Sequence, residues 1–93
     1  LNSAVESDDA HPAMRARVQA AMLKLLALVE SIVAKGIECN ELSDDLSPYS
    51  VATYLIASLE GAIMLAKLYD DPARFSAVAV SLKQYIRSCA STR

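Results

Sequence analysis

Three sets of side chains in this sequence could do chemistry. They are a lone histidine beside two carboxylates, a pair of cysteines, and one glutamate inside an apolar stretch. His11 follows Asp8 and Asp9 in a D-D-x-H order. A metal site needs three or four converging ligands, and these three are all that the local sequence offers. Nucleophilic catalysis would need His11 beside a Ser, Cys or Asp in space. His11 instead stands in a loop just before a helix start, and a solvated loop residue is the favoured reading. Cys39 and Cys89 make a poor disulfide framework. Free buried thiols behaving as small hydrophobes are expected. Neither a Gly-rich phosphate loop nor a carboxylate pair on a shared helix face is present. We expect no catalytic residue, no metal, no cofactor and no enzyme activity.

The glutamate is Glu60, alone on the run PYSVATYLIASLEGAIMLAKLY, residues 48–69, until Lys67. A buried charge is costly unless paired. Glu60 is therefore expected on a solvated edge or against a cation, and a ligand-binding carboxylate is the less favoured reading. The run itself is apolar on nearly every side of a helix, and such a helix must be covered all round. One face lines up Tyr54, Ser58, Gly61, Leu65 and Leu68 at steps of four and three. The opposite face carries Ala52, Ile56, Leu59, Ile63 and Ala66. Ser58, Gly61 and Ala62 form a notch of small residues where another helix could approach closely. Packing inside the chain and a crossing at a homodimer seam both fit it, and excess hydrophobicity tips the balance to the seam. A membrane span is disfavoured. The run from Val51 to Ala66 contains Glu60, and a span needs about 20 apolar residues.

Two further helices flank this one. The spacing of Met14, Val18, Met22, Leu25, Val29 and Ile32 predicts a helix that opens at Pro12, a good first helical residue. Its end is open: Gly36 could stop it, or Gly36 is interior and Asn40 caps it. Met14 and Met22, with Leu25 and Val29, could line a pocket, although ordinary core is favoured. Residues 40–47 read as a loop pinned by Leu42 and Leu46. Ser47-Pro48 starts the second helix and Asp71-Pro72 the third, each as cap and first residue. Asp70 is left as a tight connector, so helices two and three must be antiparallel neighbours. The third helix runs over 72–89, with Phe75, Val78, Ala79, Leu82, Tyr85, Ile86 and Cys89 on one face. The tail from Ala90 should fray. Residues 1–10 read as the end of an earlier helix followed by a loop.

With 93 residues the chain is one all-α domain. Its hydrophobic share is 54%, above the roughly 45–50% of average proteins. Three helices can hardly hide that much apolar surface alone. The net charge is −2, and the nine Lys and Arg are scattered without a basic stripe. That argues against direct nucleic-acid contact and against a polybasic membrane anchor. No secretory signal opens the chain, so a reducing, cytoplasmic setting is expected. The abrupt opening at Leu1 suggests a fragment of something longer.

Several stretches resemble the C-terminal regulatory half of TetR-family transcriptional regulators. LNSAVESDDAHPAMRARV is similar to the end of one helix, a His-Pro loop and the next helix start. Gly36–Leu42 resembles a turn that often reads G-E-L, with Asn40 where the family usually has Gly. Asn tolerates the left-handed conformation, so the resemblance favours Asn40 over Gly36 as the helix end. Leu55–Ala62 resembles the family's L-x-A-x-x-E-G-A, followed by Leu65-Ala66 and the Asp71-Pro72 start. The resemblance implies that the last two helices pack on their copies in a four-helix dimer seam. It places Tyr54, Ser58, Gly61, Ala62, Leu65, Leu68, Val78, Leu82, Tyr85 and Ile86 there. It makes the first helix one wall of a pocket for a small apolar effector, through Met14, Val18, Met22 and Leu25. Over residues 1–93 it implies the effector-binding and dimerisation domain of a repressor. The DNA-binding helix-turn-helix would lie upstream, and effector binding would change operator binding allosterically. A stand-alone helical protein–protein interaction module is the rival reading.

Overall fold

The computed structural model describes residues 11–92 as three α-helices. They are α1 (Pro12–Glu38), α2 (Pro48–Leu68) and α3 (Pro72–Ser88). The expected helix end and loop over residues 1–10 lie outside the described residues, as do Asp8 and Asp9.

Local chemistry sets the helix limits. Each helix opens on a proline at its first turn, where the missing N–H costs nothing. At α2 the Ser50 N–H donates to Ser47 Oγ at 3.2 Å. At α3 the Ala73 N–H donates to Asp71 Oδ1 at 3.1 Å. Both side chains satisfy one of the orphan donors of a first turn. Asp71→Ala should therefore lower stability by about 1 kcal/mol. Denaturant titration would show it, and an unchanged midpoint would mean that the cap contributes nothing.

The C-terminal ends use left-handed residues. Asn40 has φ 63° and Asp70 has φ 50°. At α1 the Asn40 N–H donates to the Ile37 carbonyl (3.1 Å) and the Glu41 N–H to the Gly36 carbonyl (2.9 Å). At α2 the Asp70 N–H reaches the Lys67 carbonyl (3.4 Å) and the Asp71 N–H the Ala66 carbonyl (2.9 Å). These paired bonds are the Schellman arrangement, which needs one left-handed residue just past the helix. Asn40, not Gly36, thus ends α1. Gly36 is interior and buried.

The connection through Asp70 turns α3 back along α2. α1 and α3 each pack on α2 and, among the described residues, not on one another. The result is flat, 50 × 30 × 13 Å. Its core is small: Val33, Val51, Ala52, Ile56, Ala62, Leu82 and Cys89 are buried. No large side chain is completely enclosed among the described residues. The inner face of α2 is the one carrying Ala52 and Ile56; Glu60 lies in the exposed arc. By length and a mean hydropathy of 1.5, α2 is long and apolar enough to cross a membrane. The same properties suit a central helix flanked on two sides.

The tail does not fray as the sequence suggested. Ala90 pairs antiparallel with Leu42 in an isolated bridge. The Ser43 N–H donates to the Cys89 carbonyl (2.9 Å) and the Ser91 N–H to the Glu41 carbonyl (3.0 Å). The α1–α2 loop holds the tail, because both segments present free backbone groups at the same end of the slab.

Candidate functional site

Because α1 and α3 stand apart, part of α2 is left bare between them. There an open groove of about 720 Å³ forms, in the size range of small-molecule sites. Val51 and Leu55 of α2 line it, with Val29, Ile32, Val33 and Gly36 of α1 on one side and Ile86 and Cys89 on the other. Leu42 and Leu46 from the α1–α2 loop complete the lining. Polar groups come only from Ser31, Lys35 and Glu41, all exposed. The mostly aliphatic lining suits apolar groups.

The expected pocket residues extend this side of α1. At 100° per residue, Met14 falls in line with Ile32, and Val18 and Leu25 lie within about 40° of it. Met14, Val18 and Leu25 are exposed by 50%, 56% and 40%. Met22 is half-buried, nearer to Val33 on the helix circumference. None of the four lines the groove itself. They continue its wall toward the N-terminal part of α1, where Met14 and Val18 stay exposed among the described residues.

A second, shallower groove of about 390 Å³ runs between α2 and α3. Tyr54, Ala57, Ser58, Gly61, Ala62 and Leu65 line it from α2, and Ala77, Val78, Ser81 and Leu82 from α3. Seven of the residues expected at a dimer seam are therefore together here. Tyr85 joins them through an edge-on contact with Tyr54, ring centroids 4.7 Å apart. Burial pushes the Tyr85 phenol above its ordinary value, and a hydrogen bond with Cys89 acts in the same direction. Leu68, 68% exposed, lies two turns beyond Gly61 on the same face. Ile86 departs from the set. One residue past Tyr85 means about 100° of rotation, and Ile86 lines the larger groove instead. Ala62 and Leu82 are 1% and 6% exposed, so their side chains already pack within the chain. Gly61 is open: a Cβ there would meet nothing within 4 Å.

Among the described residues no group of three or more His, Cys, Asp or Glu gathers to hold a metal. His11 is exposed at the start of α1. Both cysteines are free thiols, and Cys89 is buried as expected, but Cys39 is exposed because it caps the solvent-facing end of α1.

The sequence pointed to Leu42 and Leu46 as pins of the loop, but not to the groove's end wall that they help form. Leu42 and Gly36 meet there, with Leu42 Cδ1 only 2.6 Å from where a Cβ on residue 36 would sit. A glycine inside an otherwise good helix was a further signal, since such a glycine usually admits a close neighbour.

Comparison with known proteins points one way. Residues 1–82 match the family described as tetracyclin repressor-like, C-terminal domain. No curated protein matches the sequence. Among solved structures, the chain is similar to a transcriptional regulator of the TetR family from Cytophaga hutchinsonii. The two share 29% identity and superpose with a TM-score of 0.85. The match covers 99% of this chain and 46% of that one, so this chain spans less than half of that protein's length.

Proposed function

From the premise that this chain belongs to the tetracyclin repressor-like C-terminal domain family, we propose that it is the dimerisation and effector-sensing domain of a transcriptional repressor. It carries out no reaction. A second copy of the chain covers the outer face of α2 and α3, and a small apolar effector occupies the larger groove. DNA is read by a helix-turn-helix upstream of Leu1, in a cytoplasmic protein that does not enter membrane. Effector binding favours one set of helix positions, and through the dimer this changes the spacing of the two DNA-reading heads.

The observation that carries this reading is the separation of two apolar faces on one flat body. Tyr54, Leu65 and Leu68 are 48%, 42% and 68% exposed along one row of α2. The row passes Gly61, where the backbone is bare. A soluble monomer would not be expected to leave such a row to water. The seam uses Tyr54, Ser58, Gly61, Leu65 and Leu68 with Val78 and Tyr85, and Ala62 and Leu82 support it from inside the chain. On the other face, Met14, Val18, Met22 and Leu25 extend the effector wall that Ile32 begins.

Sedimentation equilibrium of the intact protein tests the assembly. A dimer at low micromolar concentration is expected. A monomer persisting into high micromolar concentration would overturn the seam and favour a stand-alone interaction module. The gene upstream of the codon for Leu1 supplies the second discriminator, since the repressor reading requires a helix-turn-helix there.

A further inference from the structure

We propose that the α1–α2 loop and the tail after α3 form a strap that couples the C-terminal end of α1 to the last turn of α3. Its regulatory meaning rests on the reading above, but its existence as a mechanical link does not.

α1 and α3 do not pack on one another among the described residues, so a signal between them has two routes. One passes through α2. The other is the strap. At its α1 end, the Gly36 carbonyl accepts from both the Glu41 N–H (2.9 Å) and the Leu42 N–H (3.0 Å). The Leu42 side chain sits over the bare Gly36 backbone, leaving no room for a Cβ. At its α3 end, the Ser43 N–H donates to the Cys89 carbonyl and the Ser91 N–H to the Glu41 carbonyl. Cys89 is itself tied into the helix, its N–H donating to the Tyr85 (3.2 Å) and Ile86 (3.0 Å) carbonyls. Tyr85 then touches Tyr54 on the outer face.

The strap is also part of the larger groove. Gly36, Glu41, Leu42 and Cys89 all line it. An occupant that displaces Leu42 therefore acts on both ends of the link at once. The displacement passes from Leu42 to Cys89, and from there to Tyr85 and the outer face. Backbone pairing suits this role, because its geometry is specific and opens as a unit.

Amide hydrogen exchange on the intact protein tests the strap without knowledge of the effector. Ser91→Pro removes the N–H that Glu41 accepts, while Ser91→Ala keeps it and removes only the hydroxyl. Ser91→Pro should speed exchange at the Ser43 amide by about two- to tenfold, the equivalent of one net hydrogen bond. Ser91→Ala should not. An unchanged Ser43 amide in Ser91→Pro would show that the two bonds do not act together, and the strap would be rejected. Gly36→Ala, which pushes on Leu42, should speed exchange at Cys89, and Leu42→Ala serves where that variant folds poorly. On the Ser91→Pro background the effect of either variant on Cys89 should vanish. Equal effects on both backgrounds would place the coupling in α2 instead, which overturns the proposal. If the strap behaves as described while the protein sediments as a monomer, the seam fails and the link stands.

Discussion

Gly61→Leu is expected to weaken self-association strongly while leaving the helices of the chain in place. The structure gives the reason for both halves. A Cβ at residue 61 meets nothing within 4 Å among the described residues, so the first carbon of a new side chain finds no internal obstacle. Replacing a helical glycine also removes a propensity penalty of about 1 kcal/mol. A loss of association on adding that one carbon therefore points to a contact from another molecule. If a second copy packs over the notch at Ser58, Gly61 and Ala62, four extra carbon atoms overpack a close helix crossing. That costs typically about 1–3 kcal/mol, or roughly a 5- to 150-fold weaker dimer. Sedimentation of the parent and variant at matched concentrations would measure it. Gly61→Ala is the companion variant, with a single methyl in the same place. Should both variants dimerise as tightly as the parent, the notch faces solvent and the seam lies elsewhere.

Leu82→Ala should behave in the opposite way and destabilise the chain itself. Leu82 is 6% exposed, one of only four large aliphatic side chains that α1, α2 and α3 bury. Truncating a buried leucine costs about 2–5 kcal/mol, through lost transfer energy and the cavity left behind. In a domain with so small a core that is a large share of total stability, which is typically about 5–15 kcal/mol. Leu68→Ala is the control on the same apolar surface. With Leu68 68% exposed, its truncation should change the chain's own stability by less than about 0.5 kcal/mol. Denaturant unfolding at two protein concentrations separates the two effects, because coupled association makes the midpoint concentration-dependent. If Leu82→Ala lowers only the affinity between copies, Leu82 points at the partner and the packing described here is wrong.

These two predictions rest on residues whose roles were legible to different degrees. The start of each helix could be read directly from Ser47-Pro48, Asp71-Pro72 and Pro12, because capping is a matter of adjacent residues. Asn40 as the end of α1 was one of two candidates on local grounds. Its φ of 63° and the bonds to Gly36 and Ile37 settle it. The two faces of α2 were visible in the period of its apolar residues. Helical period says which residues share a face, but not which neighbour covers that face. Tyr54, Leu65 and Leu82 all looked alike in the sequence, and only the last is buried. Ile86 and Tyr85 are neighbours that part for the same reason: Ile86 lines the larger groove, while Tyr85 meets Tyr54 on the other side of α3.

The amino-acid order therefore dictates three helices, their ends and an apolar surface too large for one small chain to bury. Each of these depends on residues within a turn or two of one another, or on composition alone. The groove, the wedge of Leu42 over Gly36 and the pairing of Leu42 with Ala90 follow from the fold. They join residues far apart in the chain, and whether such residues meet depends on how α1 and α3 lie across α2. That arrangement is set by inter-helix packing, for which no local pattern in this sequence stands as a proxy.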